Sequence, residues 1–106
     1  MDRVNYKNMT PEEVYAAIDE TEQPEPTSRC LPAPWDDGVE YLSRGTIGGK
    51  KAVIRWYFDA KDMIDADGES ISDEDYPWDF DSVSEILVEI EPDYWGLVYG
   101  LDVAGH

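Results

Sequence analysis

The sequence has one cysteine, one histidine and only 8 Lys and Arg against 25 Asp and Glu in 106 residues. The single cysteine, Cys30, excludes an internal disulfide framework and a cysteine-based zinc site. The single histidine, His106, ends a Val-Ala-Gly tail, and a general base on a frayed terminus is not held within reach of the proton it must take. The shortage of bases gives a formal charge of −17. That balance works against direct nucleic-acid or anionic-membrane binding, because phosphate contacts need clustered Lys and Arg. No apolar run approaches the roughly 18 residues that span a bilayer. Met1-Asp2-Arg3-Val4-Asn5 also lacks the basic-then-apolar pattern of a secretory signal, so the expected location is cytoplasmic. The length fits one domain, 1–106.

What is present is an aromatic, globular composition. With 42% hydrophobic residues, 4 Trp and 7 Tyr, the chain is too rich in core formers for a disordered acidic tail. The charge is unevenly spread. Residues 59–93 hold 14 carboxylates and one base, Lys61, whereas 31–58 hold 3 carboxylates and 4 bases. Like charges at this density repel and cost stability, so their concentration in one third of the chain asks for a use.

The expected fold is α+β, with a single N-terminal helix packed on a four-stranded antiparallel sheet of two β-hairpins. Thr10-Pro11-Glu12-Glu13 supplies an N-cap, a first-turn proline and a capping-box Glu. Val14, Ala17 and Ile18 then form one apolar stripe, which predicts a helix over 10–20. Residues 21–36, with Pro24, Pro26, Pro32 and Pro34, form an extended Pro-rich connection. The first hairpin spans 37–58 around Gly48-Gly49, with Ala52, Ile54, Trp56 and Phe58 alternating inward. A long acidic loop, 59–82, leads to the second hairpin, 83–103. In its first strand Ile86, Val88 and Ile90 face inward, and Glu85, Leu87, Glu89 and Glu91 outward. In its second strand Trp95, Leu97, Tyr99, Leu101 and Val103 share a face, leaving a flat one at Gly96, Val98 and Gly100. Lys51 and Arg55 are placed to pair with Glu85 or Glu89.

The catalytic inventory is poor, and no enzyme activity and no cofactor are expected. Cys30 lies in acidic surroundings that disfavour its thiolate, and it reads as a small packed side chain. Adjacent carboxylates such as Asp36-Asp37 and Asp79-Asp81 follow from acid density alone. Gly45 to Lys50 lacks the spacing of phosphate-cradling loops. Asp65, Asp67, Gly68 and Glu74 fall on positions of a calcium loop, but Met63 stands where its first Asp belongs, so no metal site is assigned. Asp62, Asp65, Asp67 and Glu69 remain an alternative cradle for a hard cation.

The acidic segment reads best as a binding surface. Its candidate contact residues are Asp62, Asp65, Asp67, Glu69, Asp73, Glu74, Asp75, Tyr76, Trp78, Asp79 and Asp81. Duplex DNA carries a phosphate about every 3.4 Å along each strand. Carboxylates on strands and extended loops sample comparable spacings. Trp35, Tyr76, Trp78, Phe80 and Trp95 supply candidate aromatic anchors, with the carboxylates steering encounter. In size, acidity and want of catalytic groups the chain resembles the DNA-mimicking inhibitors that phages and mobile elements direct at host nucleases, restriction systems or CRISPR effectors. Immunity proteins against toxic nucleases share that look. The resemblance lies in composition and implies a basic protein partner, a nucleic-acid-binding enzyme or complex, with no direct nucleic-acid or membrane contact. Competing readings are an adaptor that uses the flat Gly96/Gly100 face and the Pro-rich segment, the cation-binding loop, a carboxylate-based hydrolase, and a homodimer joined through aromatics near loops.

Overall fold

A computed structural model describes residues 3–28, 33 and 35–100. The expectations for Cys30, Pro32, Pro34, Leu101, Val103 and His106 lie outside the described residues. The helix begins as its capping box dictates. Thr10 Oγ1 accepts from the Glu13 N–H at 3.2 Å, and Glu13 Oε1 accepts from the Thr10 N–H at 2.9 Å. It forms α1, Pro11–Ala17, and ends three residues earlier than expected. The reason is tertiary. Asp19 exchanges two backbone hydrogen bonds with Thr46, at 2.7 and 2.8 Å, so the chain is captured by the sheet before another turn forms.

The sheet has five antiparallel strands, not four. These are β1 (Glu25–Pro26), β2 (Val39–Ile47), β3 (Lys50–Phe58), β4 (Val83–Glu91) and β5 (Tyr94–Gly100), in spatial order β1-β2-β3-β4-β5. The added strand lies inside the Pro-rich connection. Glu25 pairs with Leu42 and Pro26 with Tyr41, at an edge where a proline costs no ladder bond. Gly48 and Gly49 take φ of 57° and 79°, the left-handed pair a two-residue hairpin loop needs. The opposite edge, β5, is covered by the start of the chain, where the Val4 N–H donates to Leu97 O at 2.8 Å.

One sheet face carries the core. Ala52, Ile54, Trp56 and Phe58 are buried there, as the alternation predicts, together with Val83, Ile86 and Val88. Val14 of α1, Ile18 just beyond its end and Tyr6 of a 3-10 turn (Tyr6–Asn8) close over them. The second hairpin departs from strict alternation. Ser84, Val98 and Ile90 are each skipped by the pairing register, so three bulges interrupt it.

Each bulge flips the parity of the strand residues beyond it. Gly96 pairs with Val88 on the core face and Gly100 with Glu85 on the other, so the expected flat Gly96/Gly100 face does not exist. Val98, expected beside them, is buried in the core. Tyr99 crosses to the core face opposite Ile86, away from Trp95 and Leu97. Leu87, expected outward, is buried, with Val53 and Leu97 as its cross-strand partners. Arg55 pairs with Glu85 across β3 and β4, one of the two pairings expected.

Candidate functional site

Residues 59–82 are not a featureless loop. A 3-10 turn, Ala60–Met63, opens on Asp59, whose N–H donates to Asp62 Oδ2 at 3.2 Å. The chain then reverses at Asp65–Gly68, with Ile64 bridged to Ser70. Here Asp65 Oδ1 accepts from the Asp67 and Glu69 N–H groups at 2.9 and 3.0 Å, so that carboxylate serves its own turn. Among the described residues, no three His, Cys, Asp or Glu side chains converge as a metal site requires. Two further 3-10 turns, Asp73–Asp75 and Phe80–Ser82, carry the chain into β4.

The aromatics of this segment turn inward. Trp78 stands edge-on to Phe58, with ring centroids 4.6 Å apart, and lies 5.2 Å from both Tyr41 and Trp56. Tyr76 packs on Phe58 at 5.0 Å, and Phe80 on Tyr99 at 5.1 Å. The Trp78 Nε1–H donates to Asp73 O at 2.8 Å, tying the indole to its own segment. Tyr76, Trp78 and Phe80, expected as anchors for a partner, are thus half-buried and packed against the core. The signal was in the sequence. In Asp75-Tyr76-Pro77-Trp78-Asp79-Phe80-Asp81, acids and apolar rings alternate with period two, as on a strand with one buried side.

The carboxylates face the other way. Asp65, Asp67, Glu69, Asp73, Glu74, Asp75, Asp79 and Asp81 are exposed, and Asp62 is half-buried. Of these, Asp62, Asp79 and Asp81 meet Asp36, Asp37 and Asp59, which were not among the candidate contact residues, around Tyr57. This ring sits at the end of β3, so close to Gly38 that a side chain there would collide with it. A cleft of about 420 Å³ on one side is lined by Trp35, Asp37, Tyr57, Asp59 and Lys61. A second, of about 400 Å³, shares Tyr57, Asp59 and Lys61 and adds Asp62, Asp79 and Asp81. Lys61, 4.0 Å from Asp59, is the one base lining either cleft.

Charge and burial leave a mark on the tyrosines. Burial pushes the Tyr57 hydroxyl above its ordinary pKa, and Asp37, Asp59, Asp36 and Asp62 raise it further. Tyr41 is raised first by burial and then by Asp73, whose Oδ2 lies 3.5 Å from its hydroxyl. Tyr15 is raised by burial and by Asp79. Acids from three separate stretches (Asp36 and Asp37, Asp59 and Asp62, Asp79 and Asp81) thus surround one sheet corner. Linear sequence gives no sign of the first pair joining the others, because only the packing of residues 35–38 against Tyr57 brings them together. Compared with protein-family models, curated proteins and solved structures, the chain matches none.

Proposed function

We propose that the protein is a non-enzymatic acidic binder that occupies the nucleic-acid site of a basic protein partner and excludes its substrate. The observation that carries this reading is the sorting of the acidic segment. Its rings hold the segment on the sheet, while its carboxylates point away from the core, and Asp59, Asp62, Asp79 and Asp81 among them join Asp36 and Asp37 around Tyr57. A rigid base under the charges matters. Carboxylates held on a packed scaffold match a fixed array of Lys and Arg with less ordering cost than a flexible tail would incur. The field of the clustered acids also speeds encounter with a basic surface.

The inward aromatics shift the expected energetics. With Tyr76, Trp78 and Phe80 packed largely against the core, Trp35 and Tyr57 are the rings that line the cleft at Asp37 and Asp59 for a partner. Binding then depends chiefly on charge. The test is capture of partners from a nucleic-acid-handling host extract at low and high salt, repeated with Asp73→Asn, Glu74→Gln, Asp75→Asn and Asp79→Asn combined. The expected result is a basic nucleic-acid-binding protein released by salt and lost with the four substitutions. A neutral or acidic partner, or unchanged affinity of the quadruple variant, refutes it.

A further inference from the structure

We propose that a trough on the outer face of the sheet, the one opposite the core, binds a zwitterionic α-amino acid with a large apolar side chain. The trough holds about 440 Å³, within the roughly 300–1,000 Å³ typical of small-molecule sites. It shares no lining residue with the acidic clefts. Glu20 and Glu22 reach it from the chain that follows α1, Arg44, Lys51 and Val53 from β2 and β3, and Trp95 from β5. All four charged residues are exposed, so their charged ends are open to a ligand.

The first observation is that these charges leave one another unpaired. Among the described residues Arg44 and Lys51 form no ion pair, although acids outnumber bases 25 to 8 and two carboxylates line the same trough. The backbone fixes their places. Arg44 stands opposite Val53, and Lys51 opposite Thr46, in the β2–β3 ladder. Asp19 exchanges backbone bonds with Thr46, and the Glu22 N–H donates to Arg44 O at 2.7 Å, so residues 19–22 run along β2 as a rim. Between those bonds Glu20 takes φ of 55°, a conformation that non-glycine residues rarely adopt. Thr46 Oγ1 donates to Glu20 Oε2 at 3.4 Å, which sets that carboxylate beside the residue facing Lys51.

The second observation is the apolar wall. Val53 and Trp95 are half-buried, yet neither belongs to the core cluster or packs against it, and both turn to the trough. An indole takes another ring in offset or edge contact. The charge of the whole chain narrows the ligand further. At −17 the surface repels an anion, and it draws a cation as strongly to the carboxylates elsewhere. A zwitterion is neutral and escapes both effects. Its carboxylate meets Arg44 and Lys51, and its ammonium meets Glu20 and Glu22, as charge-assisted hydrogen bonds. Its side chain lies on Trp95 and Val53.

The test uses the full chain in about 0.15 M NaCl, which screens the general field, and three probes with one side chain. These are L-phenylalanine, N-acetyl-L-phenylalanine, which lacks the ammonium, and L-phenylalaninamide, which lacks the carboxylate. Backbone amide NMR shifts report binding. L-phenylalanine is expected to move amides in 20–22, 44–46, 51–53 and at Trp95 saturably, and to bind at least about fivefold more tightly than either derivative. Glu20→Gln is expected to weaken L-phenylalanine about fivefold and leave N-acetyl-L-phenylalanine unchanged. Combined Arg44→Gln and Lys51→Gln is expected to weaken L-phenylalanine and leave L-phenylalaninamide unchanged. These three positions are exposed, so the variants are expected to unfold in denaturant as the parent does. Equal affinity for the three probes, no saturation below about 20 mM, shifts outside those segments, or binding indifferent to the substitutions overturns the proposal.

Discussion

Trp78 and Phe58 stand edge to face with their centroids 4.6 Å apart, and this contact fastens the acidic segment to the sheet. Phe58 is fully buried at the end of β3, and Trp78 lies over it, flanked by Tyr41, Trp56 and Tyr76. Aromatic pairs in this geometry add about 0.5–1.5 kcal/mol each beyond the area they bury. The repulsion among neighbouring carboxylates is thereby offset from below.

Replacing Trp78 with Ala removes that fastening. Buried Trp truncations cost about 3–5 kcal/mol, and the half-buried position here places the expected loss near the bottom of that range. Denaturant unfolding measures it. Hydrogen exchange is expected to quicken first at Asp73 and its neighbours, whose carbonyl accepts the indole N–H. A variant as stable as the parent would show that the ring cluster does not hold the segment.

The bulge at Val98 predicts opposite fates for two glycines of one strand. A Cβ on Gly96 would stand 2.5 Å from Val4 Cγ2, and Val4 is itself held by its backbone bond to Leu97. Gly96→Ala is expected to cost about 1–3 kcal/mol as an overpacked site. A Cβ on Gly100 meets only the mobile end of Leu97, at 3.1 Å, so Gly100→Ala is expected to change stability by less than about 0.5 kcal/mol. Equal effects in thermal unfolding would contradict the assigned register.

Three tyrosines set an alkaline limit. Tyr15, Tyr41 and Tyr57 have folded pKa values above the ordinary 10.0, so between the unfolded and folded values the native state binds more protons than the unfolded one. Their contribution to stability is fully present below pH about 10 and is lost as pH rises through the raised folded values. Tyrosinate absorbance is expected to show late-titrating residues among the seven tyrosines. Combined Asp37→Asn and Asp59→Asn is expected to bring the Tyr57 midpoint part of the way back. Burial, the larger cause, keeps it above its ordinary value.

Self-repulsion predicts how salt acts on the protein alone. With a formal charge of −17, raising NaCl from about 0.02 M to about 0.5 M shortens the Debye length to a few Å and screens the acidic face, so Tm is expected to rise. The combined Glu74→Gln, Asp75→Asn and Asp81→Asn variant is expected to start with a higher Tm and gain less from salt. A Tm that falls with salt would mean that local ion pairs outweigh the repulsion.

Local chemistry made much of this protein legible in its sequence. The capping box at Thr10 and Glu13, the Gly48-Gly49 turn, the alternation along β3 and the limits of β4 all follow from contacts between near neighbours, which spacing reports directly. The sorting of acids and rings in 75–81 was equally written there, in a period-two pattern short enough to pass for a loop. Tertiary structure alone decided the rest. The bulges at Ser84, Ile90 and Val98 are answers to packing between strands, and each moves every later side chain to the other face, so no count of alternation along one strand foresees Gly96 and Gly100 parting. The two-residue β1 exists because β2 offers it a partner, and α1 stops where Thr46 captures Asp19. The gathering of Asp36, Asp37, Asp59 and Asp62 at Tyr57 is likewise a long-range fact, because charge density is a property of the sequence and its location in space is a property of the fold.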